Sequence, residues 1–254
     1  MTETVRFSSV RGPELVGALG EPSGTARGWG LFVHGFTLGK DSPASLGISQ
    51  SLASDGIGML RWDALGLGDS DGDWGDGSFT VKVADTVRAA EFLAARGTPP
   101  ALLIGHSWGG AAAIIAAQQI PSVRAVVTIG APSEPSEVER HYNAITERVL
   151  AEGSGRWLVG GRALTLKRDF VEDVRRADLI AHVRTLGRPL LIMHSPTDPT
   201  VEIDNASEIF WAALHPRSFV SLEGSDHFLT ASGQPQRAAR IVSAWADQYL
   251  QPSP

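Results

Sequence analysis

The sequence predicts an α/β fold with a mostly parallel central sheet, helices on both of its faces and a small insertion that contains a hairpin. Short apolar runs alternate with longer segments of helical spacing, as expected for strands joined by crossover helices. The chain has 254 residues, of which 43% are hydrophobic, enough to fill one large core. We therefore expect residues 1–254 to form a single domain.

The strands and helices are predicted from these two patterns. A hairpin at residues 4–10 and 14–19 leads into the sheet. The other predicted strands are 29–33, 57–62, 101–104, 125–129, 189–193 and 219–222. Apolar residues at helical spacing predict helices at 45–54, 81–96, 109–119, 205–214 and 237–250, and the tail QPSP is predicted to be disordered.

Residues 131–187 break this alternation. A polar helical pattern covers 136–152, and a charged one covers 168–183. Between them, WLVGGRALTL places two apolar arms around Gly160-Gly161, which is a hairpin signal. We interpret this stretch as a small cap over one end of the sheet. The alternative is an ordinary crossover with surface decoration.

Composition excludes several classes of function. A net charge of −6 and a pI near 5.6 argue against a nucleic-acid partner. The absence of cysteine excludes disulfides, thiolate metal sites and a cysteine nucleophile. Because the start MTETVRFSSV is not a signal peptide and no stretch has the length of a membrane span, we expect a cytoplasmic protein with no membrane partner.

The pattern Gly-x-Ser-x-Gly, typical of a nucleophile elbow, occurs twice. Ser107 follows the apolar run PALLIG and precedes GGAAAIIAAQQI, which is the strand-turn-helix context that the motif requires. Ser70 lies in an aspartate-rich loop, where carboxylates would repel the negative charge that develops in acyl transfer. Ser107 is therefore the candidate nucleophile, and Ser70 is interpreted as a turn residue.

The aspartates of this loop have an alternative interpretation as a metal site. Asp69, Asp71 and Asp73 match the first three ligands of an EF-hand calcium loop. The sixth and twelfth positions of that loop require Gly and Glu, but they are occupied by Trp74 and Thr80. We therefore expect a solvated acidic turn and no metal site.

A serine nucleophile needs a base and an acid that orients the base. Of the seven histidines, His227 follows the last strand, at the carboxyl edge of the sheet where α/β active sites gather. Asp198 follows the strand at 189–193 and reaches the same edge. The neighbouring His106 is expected to point away from Ser107. Ser107, Asp198 and His227 are therefore the predicted catalytic residues, in the chain order serine, acid, histidine.

Backbone N–H groups are expected to stabilise the oxyanion. Trp108 follows the nucleophile and supplies one N–H, and Phe36, after the strand at 29–33, supplies the second, with Thr37 as the alternative. The side chains predicted to contact substrate are apolar or aromatic: Leu38, Trp157, Leu158 and Phe228 in the first place, with Phe36 and Trp108 beside them. Plain core packing is the alternative for each.

Over nearly its whole length, the chain resembles the α/β-hydrolase superfamily. The stretches that carry the resemblance are HGFTLGKDS, LRWDALGLGDSDGDW, LLIGHSWGG, VVTIGAPSEP, GGRALTLKRDF, LIMHSPTDPTVEIDNASEIF and HPRSFVSLEGSDHFLT. More narrowly, it is similar to serine hydrolases found alone or fused to OsmC-like domains, and to feruloyl-type esterases. The resemblance implies an α/β-hydrolase fold and a cofactor-free ester hydrolase with a small cap that contains a hairpin.

The predicted function is hydrolysis of a small-molecule carboxylic ester through an acyl-enzyme on Ser107. A thioesterase, lactonase, peptidase or cofactor-free perhydrolase would use the same three residues, and the sequence leaves these open. A non-catalytic binding protein on this fold is the alternative from a different class. The sequence does not determine the oligomeric state.

Overall fold

A computed structural model describes residues 2–250, so the predicted disordered tail at 251–254 lies outside the described residues. The largest element is an eight-stranded sheet. Its strands are β1 (Thr2–Ser8), β2 (Glu14–Gly20), β3 (Gly28–Val33), β4 (Ile57–Trp62), β5 (Leu102–His106), β6 (Ala125–Ile129), β9 (Leu190–His194) and β10 (Arg217–Ser221). Their order across the sheet is β1-β2-β4-β3-β5-β6-β9-β10. The six neighbouring strands β4-β3-β5-β6-β9-β10 pair in parallel. Strand β2 pairs antiparallel with both β1 and β4. The predicted fold class is confirmed.

Helices cover both faces of the sheet. They are α1 (Pro43–Ser54), α2 (Phe79–Ala95), α3 (Trp108–Ala117), α7 (Asp204–Ala212) and α8 (Gln234–Leu250). Helices α2, α3 and α7 contribute to one buried apolar cluster, and α1 and α8 contribute to a second. Alternate residues of β3 enter different clusters, because successive side chains of a strand point to opposite faces: Leu31 joins the first cluster and Phe32 the second.

Residues 131–187, the segment predicted to be an insertion and called the insertion below, join β6 to β9. They contain a 3-10 helix (Pro135–His141), α4 (Asn143–Glu152), the strands β7 (Ser154–Val159) and β8 (Arg162–Lys167), α5 (Arg168–Arg176) and α6 (Leu179–Arg184). Strands β7 and β8 form a separate antiparallel hairpin. Its turn, Gly160-Gly161, has φ angles of 54° and 76°, the left-handed pair that a type I′ turn requires.

Each of the two helical patterns in the insertion was expected to form one helix, but each forms two shorter ones. Pattern 136–152 divides at Tyr142, whose φ of −134° and ψ of 14° are not helical. Pattern 168–183 divides at Asp178, whose side chain accepts a hydrogen bond from the Ala181 N–H and so begins α6. Within residues 2–250, no helix combines the length and apolar character needed to cross a membrane.

Candidate active site

Ser107 lies on the sharp turn between β5 and α3. Its φ of 54° and ψ of −131° are unusual for a residue with a side chain. The flanking glycines permit this turn: a Cβ on Gly105 would lie 2.3 Å from the Gly109 carbonyl oxygen, and one on Gly109 would lie 2.3 Å from the Val33 carbonyl oxygen. Because both contacts involve backbone atoms, α3 packs this closely against the sheet only with glycine at these positions. The strand-turn-helix context expected around Ser107 is therefore present.

The structure brings Ser107, His227 and Asp198 together. Since an ionised carboxylate only accepts hydrogen bonds, the His227 Nδ1–H donates to Asp198 Oδ2 at 2.7 Å. In that tautomer Nε2 carries no proton and accepts a hydrogen bond from the Ser107 hydroxyl at 3.0 Å. His227 and Asp198 are buried, whereas Ser107 is half-buried and lines a cavity. The histidine is thus placed to take a proton from the serine.

Asp198 is held as an ionised acceptor by the turn that follows it. Its Oδ1 accepts hydrogen bonds from the N–H groups of Thr200 at 2.8 Å and Val201 at 2.9 Å. Burial raises the pKa of Asp198, but the hydrogen bonds from His227 and these backbone groups outweigh burial, and its pKa lies below the ordinary value. This carboxylate can therefore fix the His227 tautomer and stabilise an imidazolium.

Two other histidines support this arrangement. Burial, followed by the nearby His227 ring, lowers the pKa of His106 to about 3. The neutral His106 ring lies 2.7 Å, through Nε2, from the His227 carbonyl oxygen, to which it donates. His106 does not line the cavity, and this hydrogen bond anchors the loop that carries the base. His194 donates from Nε2 to the Val201 carbonyl oxygen at 2.9 Å, a structural role behind Asp198.

The predicted oxyanion donors lie at the start of α3 and in the loop after β3. Trp108 is the first residue of α3, where N–H groups have no acceptor within the helix and the helix dipole favours negative charge. The loop after β3 approaches from the other side, since a Cβ on Gly35 would lie 3.1 Å from the Ser107 Cβ. Phe36 follows Gly35 in this loop, and Thr37 has a left-handed φ of 54°. Both predicted donor positions therefore lie in segments that adjoin Ser107.

Ser107 opens into a cavity of about 360 Å³, a volume typical of small-molecule sites. Four of the six predicted contact residues line it, namely Phe36, Leu38, Trp157 and Phe228. The sequence did not single out several others: Leu67, His141, Val159, Arg162, Leu164 and Thr200. Val159, Arg162 and Leu164 belong to the hairpin. Because side chains alternate between the two faces of a strand, these residues could have been assigned to the inner face once Trp157 was known to point inward.

Leu158 was predicted to contact substrate, but the structure places it elsewhere. It is 76% exposed and does not line the cavity. The cause is strand alternation: Trp157 occupies the inner face of β7, so its neighbour points to solvent. The Trp108 side chain is also outside the cavity, buried with its indole N–H donated to the Pro135 carbonyl oxygen at 3.1 Å.

Phe36 connects the core to the insertion. Its ring lies 5.7 Å from that of Trp157 in a stacked arrangement and 5.4 Å from that of Trp108 in an edge-on arrangement. The Trp157 indole N–H also donates to the His141 carbonyl oxygen at 2.9 Å. Through these contacts, the hairpin is fixed directly above the loop that carries the candidate oxyanion donors.

In the aspartate-rich loop, Ser70, Asp69 and Asp73 form hydrogen bonds with other groups of the protein. The Ser70 hydroxyl donates to the Asp63 carbonyl oxygen at 2.7 Å and accepts from the Val16 N–H at 2.8 Å. Asp69 accepts a hydrogen bond from the Lys40 ammonium at 2.5 Å, and Asp73 accepts from the Gly75 N–H within the turn. Ser70 thus ties the loop to β2 and does not reach the cavity.

Comparisons with known proteins agree with this architecture. A model of the alpha/beta hydrolase family matches residues 31–241. The structure of the esterase domain of a Rhodothermus marinus protein is 38% identical, with a TM-score of 0.78, and the match covers 99% of this chain and 100% of that one. No curated protein matches the chain.

Two more distant structures share the fold. Est1E from Butyrivibrio proteoclasticus, solved with ferulic acid bound, is 18% identical, with a TM-score of 0.78 and coverage of 97% of this chain and 99% of that one. A dienelactone hydrolase from Anabaena variabilis is 19% identical, with a TM-score of 0.69 and coverage of 99% of each chain.

Proposed function

Because this chain belongs to the alpha/beta hydrolase family and is a hydrolase, we propose that it cleaves carboxylic esters through an acyl-enzyme on Ser107. The observation that carries the proposal is the chain of hydrogen bonds from Ser107 through His227 to Asp198, at 3.0 and 2.7 Å, opening into a largely apolar cavity. The 38% identity to an esterase domain supports an ester as the substrate.

In the acylation step, His227 Nε2 takes the proton of the Ser107 hydroxyl as Oγ attacks the ester carbonyl carbon. Asp198 stabilises the resulting imidazolium through its 2.7 Å hydrogen bond to Nδ1. The negative charge moves to the carbonyl oxygen, where the N–H groups of Phe36 and Trp108 stabilise it. Collapse of this intermediate expels the alcohol, which takes the proton from His227.

In the deacylation step, a water molecule takes the place of the departed alcohol. His227 accepts a proton from this water as it attacks the acyl carbonyl, and then returns the proton to Ser107 as the acid departs. Each oxyanion donor is expected to contribute about 3 kcal/mol of transition-state stabilisation. No step requires a cofactor or a metal.

We further propose that residues 131–187 act as a cap over Ser107 within one domain. Support comes from the inner face of the hairpin, which supplies Trp157 and Val159 to the cavity. Such a cap would exclude water around the acyl group and strengthen the hydrogen bonds to the oxyanion.

The test is hydrolysis of p-nitrophenyl esters from acetyl to decanoyl by the wild type and by Ser107→Ala. We expect turnover in the wild type and a loss of at least 10³-fold in the variant, since the nucleophile is removed. The chain length at which kcat/KM peaks would measure the acyl side of the cavity.

Ser70→Ala is the matched control, because Ser70 lies in the other Gly-x-Ser-x-Gly sequence. It should retain esterase activity, and a fluorophosphonate should label wild type and Ser70→Ala, but not Ser107→Ala. Equal turnover by wild type and Ser107→Ala would show that another residue is the nucleophile. Absence of both turnover and labelling in the wild type would argue for a non-catalytic role.

A further inference from the structure

Arg162 is the one permanently charged side chain among the described residues that line the cavity above Ser107. The rest of the lining is mostly aromatic or aliphatic, and it includes neither Asp nor Glu. Asp198 does not contribute a free charge, because it lies buried behind His227 with its oxygens hydrogen-bonded. The cavity therefore has a positive group without a negative counterpart in its wall.

The register of the hairpin explains why Arg162 faces inward. Val159 pairs with Arg162, and Trp157 pairs with Leu164, and directly opposed residues of an antiparallel pair lie on the same face. All four line the cavity. The intervening pair, Leu158 and Ala163, is exposed on the outer face.

Arg162 also has no partner within residues 2–250. Some exposed arginines of the insertion are paired, such as Arg175 with Glu139 at 2.5 Å and Arg140 with Glu137 at 3.8 Å. Arg148, Arg156 and Arg184 are exposed and, like Arg162, have no partner within residues 2–250, but of these four arginines only Arg162 lines the cavity. No hydrogen bond or ion pair engages the Arg162 guanidinium in the described chain. Its five donors remain available to a planar, bidentate acceptor.

The position of Arg162 separates it from the reacting carbonyl. Trp157 stacks on Phe36 beside the serine, whereas the Val159–Arg162 pair closes the hairpin two residues further along β7. Two residues of a strand span about 7 Å. A ligand that fills the cavity from Ser107 to Arg162 thus has an apolar body between its scissile ester and its anionic end.

We propose that this site selects esters that carry a carboxylate at the end remote from the scissile bond, with Arg162 as the specificity-determining residue. This inference rests on the esterase function proposed above and specifies its substrate class. Arg162 does not contact the reacting atoms, so it raises the affinity for the substrate and leaves the chemical step unchanged.

Arg156 provides a matched control on the same hairpin. It pairs with Thr165, is exposed and does not line the cavity, because it lies on the outer face with Leu158. Arg156→Gln and Arg162→Gln thus make the same change in charge and size on opposite faces of β7–β8. An effect of net charge or of hairpin stability would appear in both variants.

The experiment measures kcat/KM for pairs of esters that differ in one charge. On the acyl side, the p-nitrophenyl monoesters of adipic and suberic acid are compared with their amide-capped analogues. On the alcohol side, 4-carboxyphenyl hexanoate is compared with 4-carbamoylphenyl hexanoate. We expect the wild type to prefer the carboxylate in at least one pair by about tenfold, a typical magnitude for a charge-assisted hydrogen bond.

In Arg162→Gln this preference should fall to less than about twofold through a higher KM for the carboxylate esters, whereas Arg156→Gln should keep it. Raising the ionic strength should weaken the preference in the wild type and in Arg156→Gln, and should change little in Arg162→Gln. A wild-type preference for the neutral members, or an equal preference in wild type and Arg162→Gln, would overturn the inference while leaving the esterase function intact. No turnover of any ester by the wild type would instead overturn the esterase function, and this inference with it.

Discussion

Replacing Asp198 by asparagine tests the orientation of the proposed base with little change in shape. In the wild type, Oδ1 accepts two backbone N–H groups, at 2.8 and 2.9 Å, and Oδ2 accepts from His227 Nδ1 at 2.7 Å. Asparagine keeps the backbone contacts by placing its carbonyl oxygen at the first position. Its NH₂ group then faces His227, where two donors would meet. The imidazole avoids this by moving its proton to Nε2, which can then no longer accept from Ser107.

The wrong tautomer should lower kcat/KM by about 10⁴-fold, equivalent to roughly 5 kcal/mol of transition-state stabilisation. The melting temperature should change little, because the buried backbone donors keep an acceptor. Asp198→Ala should lose comparable activity but also stability, since it leaves those two N–H groups unsatisfied at about 1–3 kcal/mol each. The pair of variants therefore separates orientation of the base from support of the turn.

The assay is hydrolysis of p-nitrophenyl butyrate, with thermal unfolding followed by circular dichroism. Asp226→Asn is the control, because Asp226 adjoins His227 in sequence but directs its carboxylate to the N–H groups of Phe228 and Thr230, at 2.8 and 3.0 Å. It should retain activity within tenfold. The reasoning is refuted if Asp198→Asn keeps more than a tenth of wild-type activity, or if Asp226→Asn is the more damaging change.

Three further predictions test the scaffold. Gly109→Ala should lower the melting temperature or prevent folding, because its Cβ would meet backbone oxygens at 2.3 and 2.4 Å, whereas Gly20→Ala, with 3.5 Å of clearance, should fold normally. Burial lowers the pKa of Lys82 from 10.5 to about 7. Between these two values the unfolded chain holds a proton that the folded chain has released, so the stability of the wild type rises with pH. The advantage of Lys82→Met over the wild type in urea unfolding should therefore shrink by about 1 kcal/mol per pH unit between pH 7.5 and 9.5. Trp157→Ala should cost about 3 kcal/mol of stability and raise KM for long acyl esters, whereas Leu158→Ser should change neither measurably, and equal effects would contradict the inner and outer faces assigned to β7.

The sheet could be predicted from the sequence because its strands are buried on both faces. Strand β6 was predicted at its observed bounds, and β5 and β9 within two residues at each end. The insertion was harder, because its helices are short and lie on the surface. Their division at Tyr142 and Asp178 depends on backbone angles and a side-chain cap that a polar helical pattern does not display.

The three candidate catalytic residues could be located for the same topological reason. Parallel strands end at one edge of the sheet, so residues that follow β5, β9 and β10 converge without any knowledge of side-chain packing. The cavity wall could not be located in this way. Arg162 lines the cavity and Leu158 does not, because they lie on opposite faces of the β7–β8 hairpin. Which face points inward is set by the tertiary contacts of Trp157, and the sequence pattern does not display these contacts.

Backbone strain links the core to the proposed chemistry. Within residues 2–250, the non-glycine residues with left-handed φ are Thr37, Ser107 and Leu229, at 54° to 55°. Each lies at or within two residues of a proposed donor, nucleophile or base. Such conformations cost about 1–3 kcal/mol each and persist only where the surroundings enforce them. Here the surroundings are buried strand ends and the closely packed start of α3, so the rigidity of the sheet holds Ser107, His227 and the loop after β3 in the positions that the proposed acyl transfer requires.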